Sequence, residues 1–154
     1  MTAPSIRIRS IEAGDEAAWR ALWAGYLTFY EAALPASTTD ATWTRMIGDD
    51  AAFGGLVAEH EESGVILGIA NFIVHPSTWS ESSFCLLNDL FVSPEARGHG
   101  AGRVLVNHLI SLAKVEGWSR VYWVTKEDNV VARTLYDSFA PADGFVRYTV
   151  GVET

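Results

Sequence analysis

Arg97-Gly98-His99-Gly100-Ala101-Gly102 lies between an apolar, strand-like run, Leu86 to Val92, and a helix-like run from Arg103 to Glu116. Three glycines in five residues leave backbone N–H groups open to close approach, because no Cβ stands in the way. A helix that starts directly after such a loop adds unpaired N–H donors and the positive end of its dipole. Strand, loop and helix in that order make an anion cradle, suited above all to phosphate or pyrophosphate. A tight turn without a ligand would share the pattern, but Arg97 adds a fixed cation beside it.

Spacing excludes two other phosphate loops. A dinucleotide fingerprint needs a third glycine where Arg103 stands, counting from Gly98. A Walker A loop needs Gly-Lys-Ser/Thr, which the chain lacks.

Working outward, Phe84 to Val92 is almost wholly apolar, as a strand buried on both faces would be. Asn88 and Asp89 interrupt it, and so large a break in a buried strand demands a chemical reason. Upstream, Ile6-Arg7-Ile8-Arg9 alternates like a half-buried strand. Trp19, Leu22, Trp23, Tyr26 and Tyr30 follow at helical spacing, with Asp15 at the start as an acidic or capping residue and Leu34-Pro35 at the end. A second helix is expected from about Thr39-Asp40, with Trp43, Met46 and Ile47 inward. Leu56-Val57-Ala58 and Val65 to Val74 read as strands joined by a Glu61-Glu62-Ser63-Gly64 hairpin turn, then Pro76 to Ser82 as a polar loop.

Downstream, Leu105, Leu109, Leu112 and Ala113 form the apolar side of the helix after the glycine loop, and Gly117 stops it. Val121 to Thr125 reads as a strand. A helix carrying Ala132, Leu135, Tyr136 and Phe139 starts near Asp128-Asn129, and Phe145 to Val150 reads as a closing strand. The expected fold is one mixed α/β domain over residues 1–154, a largely antiparallel central sheet flanked by helices, in the order β-α-α-β-β-β-α-β-α-β.

Composition narrows the partners. With 154 residues, 49% of them hydrophobic, the chain can bury a sizeable core. Nineteen acidic against 11 basic residues give a net charge of −8, which argues against sequence-independent nucleic-acid binding and favours the approach of protonated amines. Cys85 is the one cysteine, so no intrachain disulfide can form, as expected of a reducing cytoplasm. The N-terminus lacks the form of a signal peptide, and no apolar run has membrane-spanning length, so no membrane partner is expected.

Leu90-Phe91-Val92-Ser93-Pro94-Glu95-Ala96-Arg97-Gly98-His99-Gly100-Ala101-Gly102 resembles the acetyl-CoA signature of the GNAT N-acetyltransferase superfamily. The stretch from Trp123 to Asp137 is similar to that family's second motif. With Gly144-Phe145-Val146-Arg147-Tyr148, the match is nearest the branch of yeast histone and polyamine acetyltransferases and their bacterial relatives, over about residues 6–150. The resemblance implies an acetyl-CoA-dependent N-acetyltransferase, with acetyl-CoA as cosubstrate and no metal. The acceptor would be a primary amine on a small molecule, polyamine or lysine side chain. It leaves open a non-catalytic acyl-CoA sensor of the same fold. It also implies that the closing strand is available to join a homodimer sheet.

By the same resemblance, Arg97, Gly98, His99, Gly100, Ala101 and Gly102 wrap the CoA pyrophosphate, chiefly through backbone N–H groups, and Arg103 adds charge. The backbone of Leu90, Phe91 and Val92 pairs with the pantetheine arm, and a free N–H there holds the acetyl carbonyl as an oxyanion forms. Asn129 caps its helix and contacts the cofactor, as does Ala132. Tyr136 is placed against the cofactor as the general acid that returns a proton to the departing thiolate.

The acceptor sets a separate requirement. A lysine-like amine with pKa near 10.4 is about three units too protonated at pH 7, a penalty of roughly 4–5 kcal/mol. A base must therefore take its proton, directly or through water. Asp89 is the first candidate. Relatives in this branch often carry a second carboxylate just before it, whereas here Asn88 stands there, able to orient substrate or water. Cys85 reads as a buried inert thiol. His60, His75 and His108 lack metal-ligand spacing, and His99 contributes backbone. The aromatic face from Trp19 to Tyr30 reads as core. Asp49-Asp50 and Glu59-Glu61-Glu62 read as a solvated acidic surface.

Overall fold

Alternation in Ile6-Arg7-Ile8-Arg9 becomes strand β1, Ile6–Ser10, in a computed structural model that describes residues 5–153. Two compact units make up the chain, one ending at Trp123 and the other beginning at Val124.

In the first unit β1 pairs antiparallel with β2, Phe53–His60. β3, Ile66–Ser77, and β4, Ser80–Val92, continue the antiparallel sheet. β5, Arg120–Tyr122, then joins β4 in parallel, so the order is β1-β2-β3-β4-β5. One face carries α1, Glu16–Phe29, and α2, Ala36–Ile47. Their Trp19, Leu22, Trp23, Trp43 and Met46 pack with Val57, Ile69 and Phe91 of the sheet. The Trp19 and Trp23 rings stack with centroids 5.4 Å apart. The other face carries α3, Ala101–Glu116, which buries Leu105, Val106, Leu109 and Ala113. Burying each of its two fully buried leucines, Leu105 and Leu109, contributes roughly 1.5–3 kcal/mol. The resulting mixed α/β architecture, a five-stranded sheet flanked by helices, is the fold class that the sequence pattern implies.

Several boundaries differ from the sequence reading, each for a local reason. β3 and β4 run through most of the expected 76–82 loop, with Ser77 paired to Ser80. Pro76, which has no N–H to donate, falls at the ladder irregularity between His75 and Ser77. α2 begins at Ala36, ahead of Thr39, because Pro35 already sets the entry and its carbonyl accepts from the Thr38 N–H at 3.0 Å. Ile47 is exposed instead of inward. Asp15 stands at the start of α1 but gives it no side-chain cap; its carboxylate is engaged by Arg9 and by the Glu12 N–H. Glu59 is not on a solvated acidic surface: it is buried, bonded to Arg7 at 2.6 Å and to Arg9 at 3.2 Å. β5 stops at Tyr122, since residues 123–125 have no ladder partner.

The second unit contains α4, Val130–Asp137, whose Asn129 cap accepts from the Ala132 N–H at 3.3 Å. Phe145 to Val150 is not a strand; residues 141–153 have no regular structure. Phe145, Val146, Tyr148 and Val150 are exposed. Their alternation suits a strand, but a strand exists only where a neighbour takes its backbone hydrogen bonds.

Candidate active site

The glycine loop opens where β4 ends. Pro94–Ala96 forms a single 3-10 turn, and Gly98 and Gly100 adopt φ of 86° and 83°. That left-handed region is open to glycine at little cost and strained for other residues. Gly100 is the N-cap of α3 and has no side chain with which to cap the helix's first turn. The donor set and the dipole thus fit an anionic group, as the sequence pattern expects, and the CoA pyrophosphate is of the right chemistry. His99 is exposed, consistent with a backbone contribution.

Arg97 is fixed, though toward the strand end and not across the loop. Its Nε donates to the Val92 carbonyl at 3.2 Å, and its guanidinium lies 5.2 Å from the Phe91 ring centroid. There it borders an open groove of about 520 Å³ between α1 and the end of β4, lined also by Leu22, Gly25, Phe29, Phe91 and Pro94.

β4 has one paired and one open edge around the interruption. On the β3 side Leu90, Phe91 and Val92 face Ala70, Ile69 and Gly68. On the other side β5 pairs only with Phe84, Cys85 and Leu86. From Asn88 onward, alternate backbone groups point away from β3 to an edge that β5 has left. This is the edge along which the family resemblance places the pantetheine arm.

Asn88 and Asp89 are the residues that unsettle the ladder. Leu87 pairs with Phe72 and Asp89 with Asn71, leaving Asn88 as the extra residue of a β-bulge. Asn88 is exposed, and its Nδ2 donates to Asp89 Oδ2 at 3.2 Å. Asn71 Nδ2 donates to the same Oδ2 at 3.1 Å. Behind it, the Trp19 indole Nε1–H donates to Asn71 Oδ1 at 3.0 Å. Asp89 is thus half-buried at the end of a line of hydrogen bonds, and its Oδ1 has no partner among the described residues.

A second pair lies on the same sheet face, at the last β4–β5 rung. His75 Nδ1 is 2.8 Å from the Pro76 carbonyl and Nε2 is 2.7 Å from the Tyr122 hydroxyl. A carbonyl only accepts, so Nδ1 carries a proton and donates to Pro76, while Nε2 pairs with the Tyr122 hydroxyl. Spacing, which only sets His75 aside as a metal ligand, does not reveal this partner. Asn71 is missed as well, although it is the single amide in an apolar run, Val65 to Val74. Trp19 reads as core and is core, but its indole N–H also supports the polar line.

Cys85 is buried, and burial pushes its thiol up to about 12. A group so reluctant to ionise is a poor nucleophile. Among the described residues no group of three or more His, Cys, Asp or Glu could hold a metal, and no helix is long and apolar enough to cross a membrane. In the second unit Asn129 Nδ2 also donates to Thr125 Oγ1 at 3.2 Å, and Tyr136 lies on α4.

Comparisons with known proteins bear on this geometry. Residues 18–140 match the model of the acetyltransferase (GNAT) family. The D-amino-acid N-acetyltransferase HPA3 of Saccharomyces cerevisiae is 34% identical over 140 residues, 91% of this chain and 87% of that protein. The uncharacterized N-acetyltransferase YhfO of Bacillus subtilis is 29% identical over 149 residues, 96% of this chain and 98% of that one. Among solved structures, AAC(6')-Iy in complex with the bisubstrate analog CoA-S-monomethyl-acetylneamine superposes with a TM-score of 0.80 at 16% identity, covering 97% of this chain and 99% of that one.

Proposed function

This chain is an N-acetyltransferase and belongs to the GNAT family, and on that premise we propose that it moves acetyl from acetyl-CoA directly to a primary amine in a ternary complex. The observation that carries the reading is Asp89, held on one oxygen by two amides and open on the other, beside a strand edge that leads into an anion cradle. Asp89, directly or through one water, takes a proton from the acceptor ammonium. The freed amine nitrogen attacks the acetyl carbonyl carbon, and a backbone N–H on the open edge of Leu90 to Val92 stabilises the oxyanion. The intermediate collapses as the C–S bond breaks: Tyr136 gives its proton to the departing thiolate, the nitrogen sheds its second proton, which returns through water to Tyr136, and Asp89 releases the first to solvent. Gly98 to Arg103 and Arg97 hold the pyrophosphate, while Asn129 and Ala132 contact the pantetheine arm. No covalent acetyl-enzyme is needed, in keeping with the buried, un-ionised Cys85.

The acceptor is a small molecule, polyamine or lysine side chain. The named substrate class of the yeast relative makes free amino acids the first acceptors to try. Release of CoA from acetyl-CoA, measured against D- and L-amino acids, spermidine, an aminoglycoside and a lysine peptide, tests the reading. Turnover with at least one amine is expected, and its absence from the whole panel counts against the proposal. Tyr136→Phe should cut turnover about tenfold, or about 1.4 kcal/mol in the barrier, with little change in acetyl-CoA affinity. Equal turnover would remove Tyr136 from the acid role.

A further inference from the structure

We infer that Asn71, locked by Trp19, is a positioning residue that commits Asp89 Oδ2 and so selects Oδ1 as the oxygen that receives the amine proton. The inference rests on the reading of Asp89 as the base and names the part that makes it directional.

The argument starts from donor and acceptor inventories. An indole N–H can only donate, so the atom of Asn71 facing Trp19 at 3.0 Å is the carbonyl oxygen. That choice turns the Asn71 amide nitrogen to Asp89, and an amide NH₂ can only donate. Oδ2 must then be an acceptor, and a second amide, Asn88 Nδ2, enforces the same role. An oxygen that accepts two N–H bonds is poorly placed to take up a proton, whereas Oδ1 is unengaged among the described residues. Polarity therefore runs one way, from indole to amide to carboxylate. Trp19 is fully buried and Asn71 is 4% exposed, so water does not compete for the inner links. Reversing the amide would set two donors against each other at the indole, and two acceptors against each other at the carboxylate. Each buried mismatch costs about 1–3 kcal/mol. The element arrangement supports the same view: α1 supplies the indole, β3 the amide and β4 the carboxylate, three separate elements that meet on one sheet face.

The test is a double-mutant cycle with a spectroscopic arm, on the full chain, using acetyl-CoA and whichever amine of the panel it turns over fastest. Asn71→Ala should lower kcat by about tenfold to a hundredfold, as a misdirected reacting group does, with the KM for acetyl-CoA unchanged. In an Asp89→Asn background the same change should cost about twofold or less, because the two residues act as one unit. Equal fractional losses in both backgrounds would mark Asn71 as merely structural and overturn the inference. Asn71→Leu keeps the volume while removing the donor and adds no charge beside Asp89, so it gives the same reading if the alanine variant does not fold. The second arm needs no turnover. In ¹⁵N-labelled protein, with the Trp19 indole resonance identified by Trp19→Phe, Asp89→Ala should move that resonance and leave the Trp118 indole in place. An unmoved Trp19 resonance counts against the line of hydrogen bonds. If instead Asp89→Asn keeps full turnover, the base assignment falls, and the spectroscopic arm still decides whether Asn71 orders Asp89.

Discussion

Two carboxylates are tied to the N-terminal end of α1, one just before it and one through Trp19 in its first turn, and they are held in opposite ways. Asp15 precedes α1 and is gripped by Arg9 through two nitrogens, at 2.8 and 2.9 Å, with Glu59 and Arg7 completing the cluster. Asp89 is held through Asn71 by an indole from within α1, and its recorded donors are neutral amides. The Arg9 hydrogen bonds hold the Asp15 carboxyl below its usual range, against the opposing effect of burial. A carboxylate neutralised on both oxygens by a guanidinium has nothing left to offer a substrate. One held by amides on a single oxygen keeps its charge and a free acceptor. The difference separates a fastening from a candidate base without appeal to motif.

The contrast can be broken in order of expected effect. Asp89→Asn, which keeps an acceptor for Asn71, should reduce turnover by about a hundredfold, or about 2.7 kcal/mol in the barrier, while the melting temperature stays close to that of the wild type. Initial rates and calorimetry on the same preparation check both halves, and near-normal turnover would place Asp89 with Asp15 as a structural group. Asp15→Asn should do the reverse. It strips Arg9 of its main partner and should lower stability by about 2 kcal/mol, with turnover per folded molecule within about twofold of wild type.

Asp15 also carries a pH signature. Its folded pKa lies below the unfolded value of about 3.9, so its contribution is fully present at neutral pH. That contribution is lost as pH falls from the unfolded value through the folded one. Urea midpoints of wild type and Asp15→Asn should therefore converge on going from pH 7 to pH 3; a constant gap would refute the linkage. Asn88→Ala removes only the exposed amide, and a fall in turnover of about twofold to threefold is expected, at the scale of one partly solvated hydrogen bond. Cys85→Ala should leave the rate unchanged, and complete loss of activity in a folded variant would sink direct transfer.

Local signals made the cradle legible and left its surroundings obscure. Glycine spacing and 3.6-residue periodicity both lie within one stretch of chain, so β4, the loop and α3 could be read directly from Leu86 to Glu116. Asp89 stood out because a carboxylate breaks an apolar run. Asn71 did not, because its meaning comes from a partner 18 residues away across a bulged ladder and another 52 residues away on a helix. Glu59 looked like surface for the same reason: its cations, Arg7 and Arg9, lie on β1, and only strand pairing brings them near. Phe145 to Val150 failed in the opposite direction. Alternation records what a stretch could pair with, and the structure gives that stretch no ladder.

The extra residue at Asn88 shifts the numbering of β4 by one without shifting its faces. Phe84 and Leu86 lie opposite His75 and Ile73, while Asp89 and Phe91 lie opposite Asn71 and Ile69. Even numbers before the bulge and odd numbers after it therefore share the helix α1 side. Removing Asn88 would leave Leu87 opposite Phe72 and Asp89 opposite Asn71 as consecutive rungs, so the ladder would become regular and every later side chain would keep its face. Facing therefore survives both a change of side chain at 88 and its loss, and what the extra residue adds is a local bend and twist of β4. Which way the carboxylate looks is fixed by its rung opposite Asn71, which is the same with or without the extra residue.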